Sequence, residues 1–289
     1  MYFKKLLYNS FKLYFVYYLT ESDTNRMKIT RIHKIQEMLK KEKNLSLNDL
    51  CDTFNVSKNT IRRDINYLES QGIIKKVYGG IILNEPLTDA PEPFLLRTSK
   101  HTLQKQHVAR VAASFVKDND VIFIDSGTTT MHMLPYLLQV QNLTIITASV
   151  NVINVAALHA ESRKFNLIAT GGVLYYPSMA FTGPSVLNCL DTYNISKIFL
   201  ASTGISLENG ATNASIAENE IKRKLMTKSG QKFLLIDASK LDVASLVSFT
   251  PLSALDYLII DSLPPQKYVS YCQEHHIKLI TPEHIQTKQ

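Results

Sequence analysis

Seven short apolar runs, separated by stretches with helical periodicity, constrain the fold of the larger, C-terminal part of this chain. Short apolar strands that alternate with helices are typical of a mostly parallel sheet covered by helices on both faces. The runs occupy residues 121–124, 143–146, 165–169, 197–201, 232–236, 257–260 and 278–280. The sequence therefore predicts a C-terminal α/β domain, and a chain of this length can bury a sizeable core there.

A different pattern precedes this domain. Residues 30–43 and 47–54 carry apolar side chains at helical spacing, and a third amphipathic stretch follows Ser57. Ser46 and Ser57 are suitable N-caps, because a serine hydroxyl can accept a hydrogen bond from an amide of the first helical turn. Three short helices with a tight turn before the last one are typical of a helix-turn-helix, whose last helix enters the major groove of DNA.

The helix after Ser57 has one apolar face and one polar, basic face. Ile61, Ile65 and Leu68 share the apolar face, which would anchor the helix. Two strand-like runs around Gly79 and Gly80 then predict a wing, whose lysines would reach backbone phosphate. The candidate DNA-binding residues are Ser57, Lys58, Asn59, Thr60, Arg62, Arg63, Asn66, Tyr67, Lys75 and Lys76. We expect the arginines and the wing lysines to hold phosphates, whereas Lys58, Asn59, Thr60 and Asn66 are candidates for base contacts.

The distribution of charge agrees with this interpretation. Residues 1–84 contain 15 Lys and Arg against 8 Asp and Glu, which gives +7, and the rest of the chain contains 17 against 17. The whole excess of positive charge therefore lies in the N-terminal part, as in a phosphate-binding module joined to a neutral body. A solvated basic surface helix would account for the charge equally well.

Residues 84–96 contain three prolines and no helical period, so they predict a linker. We therefore divide the chain into an extension (1–26), a winged helix-turn-helix domain (27–83), the linker and an α/β domain (97–289). Lysines interrupt the apolar residues of the extension, and its longest uninterrupted apolar run is too short to span a bilayer. We interpret it as a poorly ordered or non-native extension, with a helix on a membrane surface as the alternative.

Small and polar residues follow several of the predicted strands. The loop Asp125–Thr130 could cradle a phosphate with its amides, its hydroxyls and the field of the following helix, predicted over residues 131–138. An ordinary strand-to-helix turn would explain the same residues. Residues 147–149, 171–172, 203–204 and 237–240 follow other strands, and the carboxyl ends of parallel strands share one rim. The sequence contains neither a Walker motif nor a Gly-x-Gly-x-x-Gly motif.

From about Met27 onward, the chain resembles the DeoR family of bacterial transcription regulators. The N-terminal resemblance rests on Thr60–Asp64, Leu68, Gly72 and the pair Gly79 and Gly80. The C-terminal resemblance rests on Arg97, Lys105, Asp125–Thr130, Gly171, Gly172, Gly183, Gly204, Ile205, Gly210, Glu218, Lys222, Arg223 and Asp237–Lys240. It implies an N-terminal all-α winged helix-turn-helix and a C-terminal sensor domain similar in fold to ribose-5-phosphate isomerases.

The resemblance also implies a function. Such a chain would be a sequence-specific DNA-binding repressor of a carbohydrate-use operon, controlled by a phosphorylated sugar or sugar derivative. The candidate effector-binding residues are Lys105, Asp125, Ser126, Gly127, Thr128, Thr129, Thr130, Gly171, Gly172, Gly204, Glu218, Asp237 and Lys240. Ala148 replaces the usual Asn of the family and Ile260 the usual Thr, and the first change affects the expected pocket contacts.

Other classes of function receive less support from the sequence. An isomerase would need a carboxylate base, for which Asp125, Glu218 or Asp237 could be proposed, and spacing singles out none of them. The alternative is therefore a sugar-phosphate-binding protein or isomerase-like enzyme without DNA-dependent regulation. We expect no enzyme activity, no cofactor and no metal. The three cysteines are widely spaced and odd in number, which suits reduced thiols in the cytoplasm. Because operators of such modules are usually repeated half-sites, we expect a homo-oligomer bound to double-stranded operator DNA, and we expect no binding to a membrane.

Overall fold

The computed structural model describes residues 31–32, 34–35, 38–39, 42, 44–70, 74–77, 79–83, 94–159, 161 and 164–281. The chain divides into two compact units, Met1–Leu87 and Thr88–Gln289. The predicted extension and most of the predicted linker lie outside the described residues. Residues 94–96, which we expected in the linker, instead begin the helix Phe94–Ser99.

The first unit combines helices with a small antiparallel sheet. The described residues from Arg31 to Glu42 are helical. After them come β1 (Asn44–Ser46), α1 (Leu47–Phe54), α2 (Lys58–Ser70), β2 (Ile74–Val77) and β3 (Gly80–Leu83). The predicted helix-turn-helix and wing are present. The description all-α was too narrow, because β1 pairs with β3 and extends the wing to a three-stranded sheet in the order β1-β3-β2.

Local hydrogen bonds fix the turn between α1 and α2. Ser46 Oγ accepts from the amide of Asp49 at 3.1 Å and so caps α1. Asn55 ends α1 with a φ of 48°, a left-handed conformation that asparagine tolerates better than most residues. Ser57 Oγ accepts from the amide of Thr60 at 3.3 Å at the start of α2. These caps fix where α1 ends and α2 begins.

The second unit contains one large sheet and two small ones. In chain order its strands are β4 (Val121–Ile124), β5 (Thr144–Thr147), β6 (Asn166–Ala169), β7 (Val173–Tyr175), β8 (Ala180–Thr182), β9 (Lys197–Ala201), β10 (Gly204–Ser206), β11 (Gly210–Asn213), β12 (Gln231–Ile236), β13 (Val247–Thr250), β14 (Tyr257–Ile260) and β15 (Lys278–Ile280). Its α-helices are α3 (Phe94–Ser99), α4 (Thr102–Ala113), α5 (Val150–Leu158), α6 (Pro184–Thr192), α7 (Ile216–Met226) and α8 (Gln266–Glu274).

The large sheet has seven parallel strands in the order β15-β14-β12-β9-β4-β5-β6. Each predicted apolar run forms one of these strands, so the prediction of a mostly parallel sheet is confirmed. From β4 the chain winds outward through β5 to β6, and it then crosses back to β9 and continues through β12 to the opposite edge. The direction of winding therefore reverses between β4 and β9.

Alternate side chains of the central strands pack into two separate layers. Phe123, Leu200 and Leu234 belong to one apolar cluster, and their chain neighbours Phe199 and Phe233 belong to the other. The rings of Phe199 and Phe233 stack with centroids 4.7 Å apart. Because both faces of the sheet are buried, the strands are apolar throughout instead of alternating with polar residues.

Several elements of the second unit were not predicted. β7 and β8 form an antiparallel hairpin, and β10, β11 and β13 form a small antiparallel sheet. The helix expected over residues 131–138 is a 3-10 helix, Thr130–Tyr136, with Pro135 inside it, where no backbone N–H is available to donate. Within the described part of the chain, no helix has the length and apolar character needed to cross a bilayer.

Candidate DNA-binding surface and effector cleft

The first candidate surface is the outer face of α2. Ile61, Ile65 and Leu68 are at most 4% exposed and hold α2 in the unit. Roughly opposite lie the exposed side chains of Asn59, Arg63 and Asn66 and the half-buried side chains of Thr60 and Tyr67, and the exposed Lys58 and Arg62 lie on the flank. Burial raises the pKa of the Tyr67 phenol. Amide and cationic side chains on one helix face can contact both phosphates and base edges in a major groove.

Two of the predicted contact residues have local partners. The hydroxyls of Ser57 and Thr60 lie 3.0 Å apart and are hydrogen-bonded to each other. Since Ser57 also accepts from the amide of Thr60, both side chains contribute to the N-cap of α2. Their structural role is therefore to begin the helix, whatever contacts they make with DNA.

A buried ion pair supports α2 from behind. Arg31 Nε donates to Asp64 Oδ2 at 2.6 Å, and the Asp64 side chain is only 1% exposed. This pair joins α2 to the helical residues at the start of the unit. Our sequence prediction left both residues out of the candidate site. One feature of the sequence could have indicated the pair: Asp64 is an acidic residue that lies between Ile61 and Leu68 on the buried face of the helix.

In the wing, Lys75 and Lys76 of β2 are both exposed. The turn from β2 to β3 passes through Gly79, whose φ of +81° favours glycine. At Gly80 a Cβ would lie 2.2 Å from the backbone oxygen of Leu45, so glycine permits the approach of β1. Lys76 Nζ forms a surface ion pair with Glu69 of α2, whose carboxylate would compete with a phosphate for this cation.

The second candidate site is a cleft at the carboxyl ends of β4, β9 and β12. It consists of two adjoining pockets with empty volumes of about 540 and 710 Å³, including space open to solvent. The cleft lies where the winding of the sheet reverses between β4 and β9, which is where open α/β sheets bind ligands.

Eight of the residues predicted to bind the effector line this cleft: Lys105, Ser126, Gly127, Thr128, Thr129, Glu218, Asp237 and Lys240. The other lining residues were not among the candidate effector-binding residues, although Thr203 and Ser239 belong to the predicted rim: Arg97, Lys100, His101, Ala201, Ser202, Thr203, Asn213, Ala214, Ser215, Lys222 and Ser239. Several of them come from α3, β11 and α7, which the strand-end argument did not include.

Asp125 lies beneath the cleft and organises its floor. Asp125 Oδ2 accepts from the amide of Ala201 at 2.9 Å and lies 2.9 Å from Lys222 Nζ. Both charged side chains are 5% exposed, and Lys222 also donates to the backbone oxygen of Ala201 at 2.5 Å. The hydroxyl of Thr130 bonds within the same loop, to the backbone oxygen of Asp125 at 2.8 Å. Asp125 and Thr130 therefore position the loop Ser126–Thr129 rather than line the cleft.

The loop after β4 also contacts β9 and α7. At Gly127 a Cβ would lie 2.3 Å from the Cβ of Ala201, so only glycine allows the loop to approach β9 so closely. Ser126 Oγ donates to Glu218 Oε1 of α7 at 2.8 Å. Glu218 itself follows Ser215, whose hydroxyl accepts from the Glu218 amide at 3.3 Å and caps α7. The carboxylate of Glu218 is thereby held at the wall of the cleft.

Cationic side chains gather along the cleft: Arg97, Lys100, Lys105 and Lys240. Lys105 is 3% exposed and donates to the backbone oxygen of Arg97, so the start of α4 is tied to α3. Burial, and then the charge of Lys105, lower the pKa of the neighbouring His132. A group of buried and half-buried cations beside a loop with hydroxyls and amides favours an anion.

Two buried polar atoms in the cleft have no hydrogen-bond partner among the described residues, Ser202 Oγ and Asp237 Oδ2. Asp237 is 2% exposed, and its other oxygen accepts from the amide of Ser239 at 3.1 Å. An unpaired buried polar group costs about 1–3 kcal/mol. A ligand that supplies hydrogen-bond donors at these positions would offset that cost.

The remaining predicted residues lie outside the lining of the cleft. Gly171 and Gly172 follow the edge strand β6 with φ of +65° and +118°, and they form the turn into β7. Gly204 packs against Val243, because a Cβ there would lie 2.3 Å from the Val243 backbone oxygen. Ala148, expected near the effector, lies in the apolar core. These four positions are explained by backbone geometry and packing.

The part of the chain that the structure describes contains no cluster of three His, Cys, Asp or Glu side chains able to hold a metal ion. Cys51, Cys189 and Cys272 are free thiols. Burial raises the pKa of the Cys189 and Cys272 thiols, which disfavours their reactive thiolate form.

Comparison with known proteins identifies both units. Residues 31–86 match the model of the DeoR-like helix-turn-helix domain, and residues 100–262 match the model of the DeoR C terminal sensor domain. The HTH-type transcriptional regulator IolR of Bacillus subtilis (strain 168) is 39% identical over 87% of this chain and 98% of its own. The glycerol-3-phosphate regulon repressor of Escherichia coli (strain K12) is 30% identical over 88% of this chain and 99% of its own.

Among solved structures, a D-ribose-5-phosphate isomerase in complex with phospho-erythronic acid is 16% identical with a TM-score of 0.35, covering 47% of this chain and 52% of that chain. This likeness is too distant to carry an argument about fold or chemistry. The assignment rests instead on the two domain matches, on the full-length relatives and on the observed helix-turn-helix and parallel sheet. The chain belongs to the DeoR family of DNA-binding transcription regulators.

Proposed function

We propose that this protein represses a carbohydrate-use operon and that a phosphorylated sugar or sugar derivative, bound in the cleft, sets its affinity for operator DNA. The observation that carries this proposal is the convergence of a hydroxyl-rich loop, four cationic residues and two unpaired buried polar atoms on one cleft at the reversal point of the sheet. The name of the glycerol-3-phosphate regulon repressor, a full-length relative, supports the same class of effector.

The chemistry of the cleft favours a ligand with two kinds of group. A phosphate can accept from the amides and hydroxyls of Thr128 and Thr129 and from nearby lysines. The unpaired Asp237 Oδ2 needs a donor, and a sugar hydroxyl is a suitable one. An inorganic anion would satisfy the first requirement without the second.

The output of this regulator is the outer face of α2 with the wing. Arg62, Arg63 and Lys75 are exposed and can neutralise phosphates, and Lys58, Asn59 and Asn66 can reach base edges. The helix-turn-helix modules of such regulators bind repeated half-sites, so we propose a homo-oligomer assembled through the second unit and acting on cytoplasmic DNA. A ligand changes DNA affinity only if it prefers one arrangement of that oligomer, and the coupling is reciprocal.

The same cleft offers little to an isomerase. Asp125 is held by Lys222 beneath the floor, and Glu218 is held by Ser126. Asp237 is the carboxylate with an unpaired oxygen, and proton abstraction would require it to stand beside a substrate carbon. The full-length relatives are transcription regulators, and we propose that this protein has no enzymatic activity.

A thermal-shift screen of sugar phosphates with the full chain tests the proposal. A ligand that binds only the folded state stabilises it by RT ln(1 + [L]/Kd), or about 2.7 kcal/mol at 100 times Kd. We expect at least one phosphorylated sugar to raise the melting temperature and to change the affinity for operator DNA in the same concentration range. Stabilisation without any effect on DNA binding would favour a DNA-independent binding protein, and rapid turnover of the ligand would favour an enzyme.

Lys240→Ala provides the site control, since Lys240 lines both pockets. We expect at least a tenfold loss of ligand affinity, about 1.4 kcal/mol, because a charge-assisted contact to the phosphate is removed. The exposed Lys117→Ala variant should leave the affinity unchanged. Unaltered affinity in Lys240→Ala would place the ligand elsewhere.

A further inference from the structure

Lys240 lines both pockets of the cleft, and it lies on a short segment that leaves the sheet after β12. We call residues 238–243 the Lys240 segment. It begins with a 3-10 helix and then runs beside β10. Val243 packs closely on Gly204 of β10, where a Cβ would lie 2.3 Å from the Val243 backbone oxygen. The position of this segment beside β10 therefore sets where the backbone of Lys240 lies.

The phenol hydroxyl of Tyr268, on α8, joins this segment to β10. Tyr268 is fully buried, and its Oη accepts from the amide of Asp242 at 3.1 Å. The same Oη lies 2.9 Å from Asp242 Oδ1 and 3.3 Å from the backbone oxygen of Ile205 in β10, either of which can accept its proton. Burial raises the pKa of Tyr268 to about 12, so the hydroxyl keeps its proton at neutral pH and remains a donor.

The backbone of Asp242 needs such support. Its φ of +57° lies in the left-handed region, which residues with a side chain occupy mainly where the surrounding structure determines it. Asp242 also forms an ion pair with Lys267 at 2.6 Å, but both side chains are more than half exposed, so solvent screens that pair. The buried hydroxyl of Tyr268 is therefore the stronger of these two constraints on Asp242.

We propose that Tyr268 is a positioning residue for effector binding. Its buried hydroxyl holds the Lys240 segment against β10 and thereby keeps Lys240 at the wall of the cleft. Tyr268 lies outside the lining of both pockets, so it acts on the effector through Lys240 and not by contact. This inference rests on the proposed function, because it requires Lys240 to contact the effector.

A segment that is already in place favours binding, because the ligand does not have to order it. When the Tyr268 hydroxyl is removed, the Asp242 amide loses its partner and the segment samples further conformations. The apparent affinity then falls in proportion to the fraction of molecules whose segment occupies the binding position. This loss cannot exceed the loss caused by removing the Lys240 side chain itself.

Calorimetric titration of the full chain carrying Tyr268→Phe tests the inference. The probes are glucose 6-phosphate, fructose 6-phosphate, ribose 5-phosphate and inorganic phosphate, together with any compound that the thermal-shift screen identifies. For the probe that the wild-type protein binds most tightly, we expect Tyr268→Phe to lose about fivefold in affinity, less than Lys240→Ala loses. In a Lys240→Ala background, Tyr268→Phe should change the affinity by less than about twofold, because the residue that it positions is absent.

Tyr257→Phe is the matched control. It also removes a hydrogen-bonded hydroxyl from a buried ring, since Tyr257 Oη accepts from Lys278 Nζ at 3.1 Å. Tyr257 begins β14, so it lies at the end of the sheet opposite to the cleft. Its removal should leave the affinity unchanged within about twofold. A loss as large as that of Tyr268→Phe would mean that the affinity follows general stability, and would overturn the inference.

Asp242→Pro tests the same contact from the exposed side, including the case in which Tyr268→Phe does not fold. Proline has no amide to donate to Tyr268 and cannot adopt a φ of +57°. We expect about the same fivefold loss, again absent in a Lys240→Ala background.

The possible failures are distinguishable. Wild-type affinity in folded Tyr268→Phe, or in Asp242→Pro where the former does not fold, overturns the inference and leaves the proposed function intact. An equal loss with and without Lys240 does the same, because the hydroxyl would then act through another part of the protein. If the wild-type protein binds none of the probes and no compound of the thermal-shift screen, the proposed function itself fails, and the inference fails with it.

Discussion

The outer face of α2 and the effector cleft use polar side chains in opposite ways. Arg62 and Arg63 extend into solvent from a helix that is held by its apolar face. Asp125 and Lys222 are 5% exposed and join the loop after β4 to β9 and α7. The first surface can therefore change with little effect on stability, whereas the floor of the cleft is part of the fold. Substitutions in the floor of the cleft should therefore change mainly the free energy of unfolding, and substitutions on the outer face of α2 mainly the affinity for DNA.

The largest expected effect comes from Lys222→Ala. Removing the cation leaves Asp125 buried without its partner, and breaking a buried ion pair in this way costs about 3–5 kcal/mol. We expect a loss of that size in the free energy of unfolding, measured by urea denaturation of the full chain. The double variant Asp125→Asn with Lys222→Met removes both charges and should recover much of the loss.

Arg223→Ala is the matched control for this prediction. Arg223 is exposed on the same helix, and its removal should change the free energy of unfolding by no more than about 0.5 kcal/mol. If Lys222→Ala lowered the free energy of unfolding no more than this control does, the charged floor of the cleft would contribute as little to stability as the outer face of α2.

Asp64→Ala tests a buried ion pair among the described residues of the first unit, which resembles the one beneath the cleft. Asp64 is 1% exposed and paired with Arg31, whose side chain is 14% exposed and can partly recover hydration. We expect a smaller loss than for Lys222, about 2 kcal/mol, seen as faster amide hydrogen exchange in α2 of the full chain. The affinity for DNA should fall because α2 is held less firmly.

The salt dependence of DNA binding distinguishes this indirect role from a direct one. Asp64 contacts no phosphate in our proposal, so the slope of log affinity against log salt should stay at the wild-type value in Asp64→Ala. The exposed Asp52→Ala variant on α1 should change neither exchange nor affinity. A changed slope with unchanged exchange in Asp64→Ala would refute the positioning role.

The two regions also differ in how far the sequence predicts them. The amphipathic period of α2 and the seven apolar runs predict elements well, because burial of one helix face or of both sheet faces leaves a regular pattern. β1 has three residues and depends on pairing with β3, so no local pattern reveals it. Pro135 replaces an expected α-helix with a 3-10 helix by removing a backbone donor.

The cleft is only partly predictable for a related reason. Strand ends share a rim, which correctly brings the loop after β4 together with Asp237 and Lys240. Arg97, from α3, and Asn213, from β11, reach the same cleft through tertiary packing between segments far apart in sequence. Gly204 was assigned to the site because it follows a strand, yet its role is to allow close packing of Val243.

The double variant Arg62→Ala with Arg63→Ala tests the exposed side of the comparison. We expect roughly a tenfold loss of affinity for DNA selected by the wild-type protein from a random-sequence library. If each arginine neutralises one phosphate, the salt slope should decrease by about 2 in magnitude. Stability should be unchanged within about 0.5 kcal/mol, because both side chains are exposed.

Arg110→Ala, an exposed substitution in the second unit, provides the control and should preserve both affinity and slope. Wild-type affinity and slope in the double arginine variant would mean that α2 does not contact DNA through this face. If that variant failed to fold, the two exposed arginines would contribute more to stability than we expect.

The smallest expected effect is a gain, produced by Glu69→Gln. Glu69 forms a surface ion pair with Lys76, with both side chains more than 40% exposed, and such pairs contribute about 0–1 kcal/mol. Removing the carboxylate therefore costs little stability and leaves Lys76 available to phosphate. We expect DNA affinity to rise about two- to threefold at low salt, where electrostatic contacts are strongest, and the gain to shrink as salt is added.

In a Lys76→Ala background the same substitution should give a smaller gain, because the cation that it releases is absent. An equal gain in both backgrounds would mean that Glu69 opposes DNA by general electrostatic repulsion. Lys76 of the wing would then make no specific contact with a phosphate.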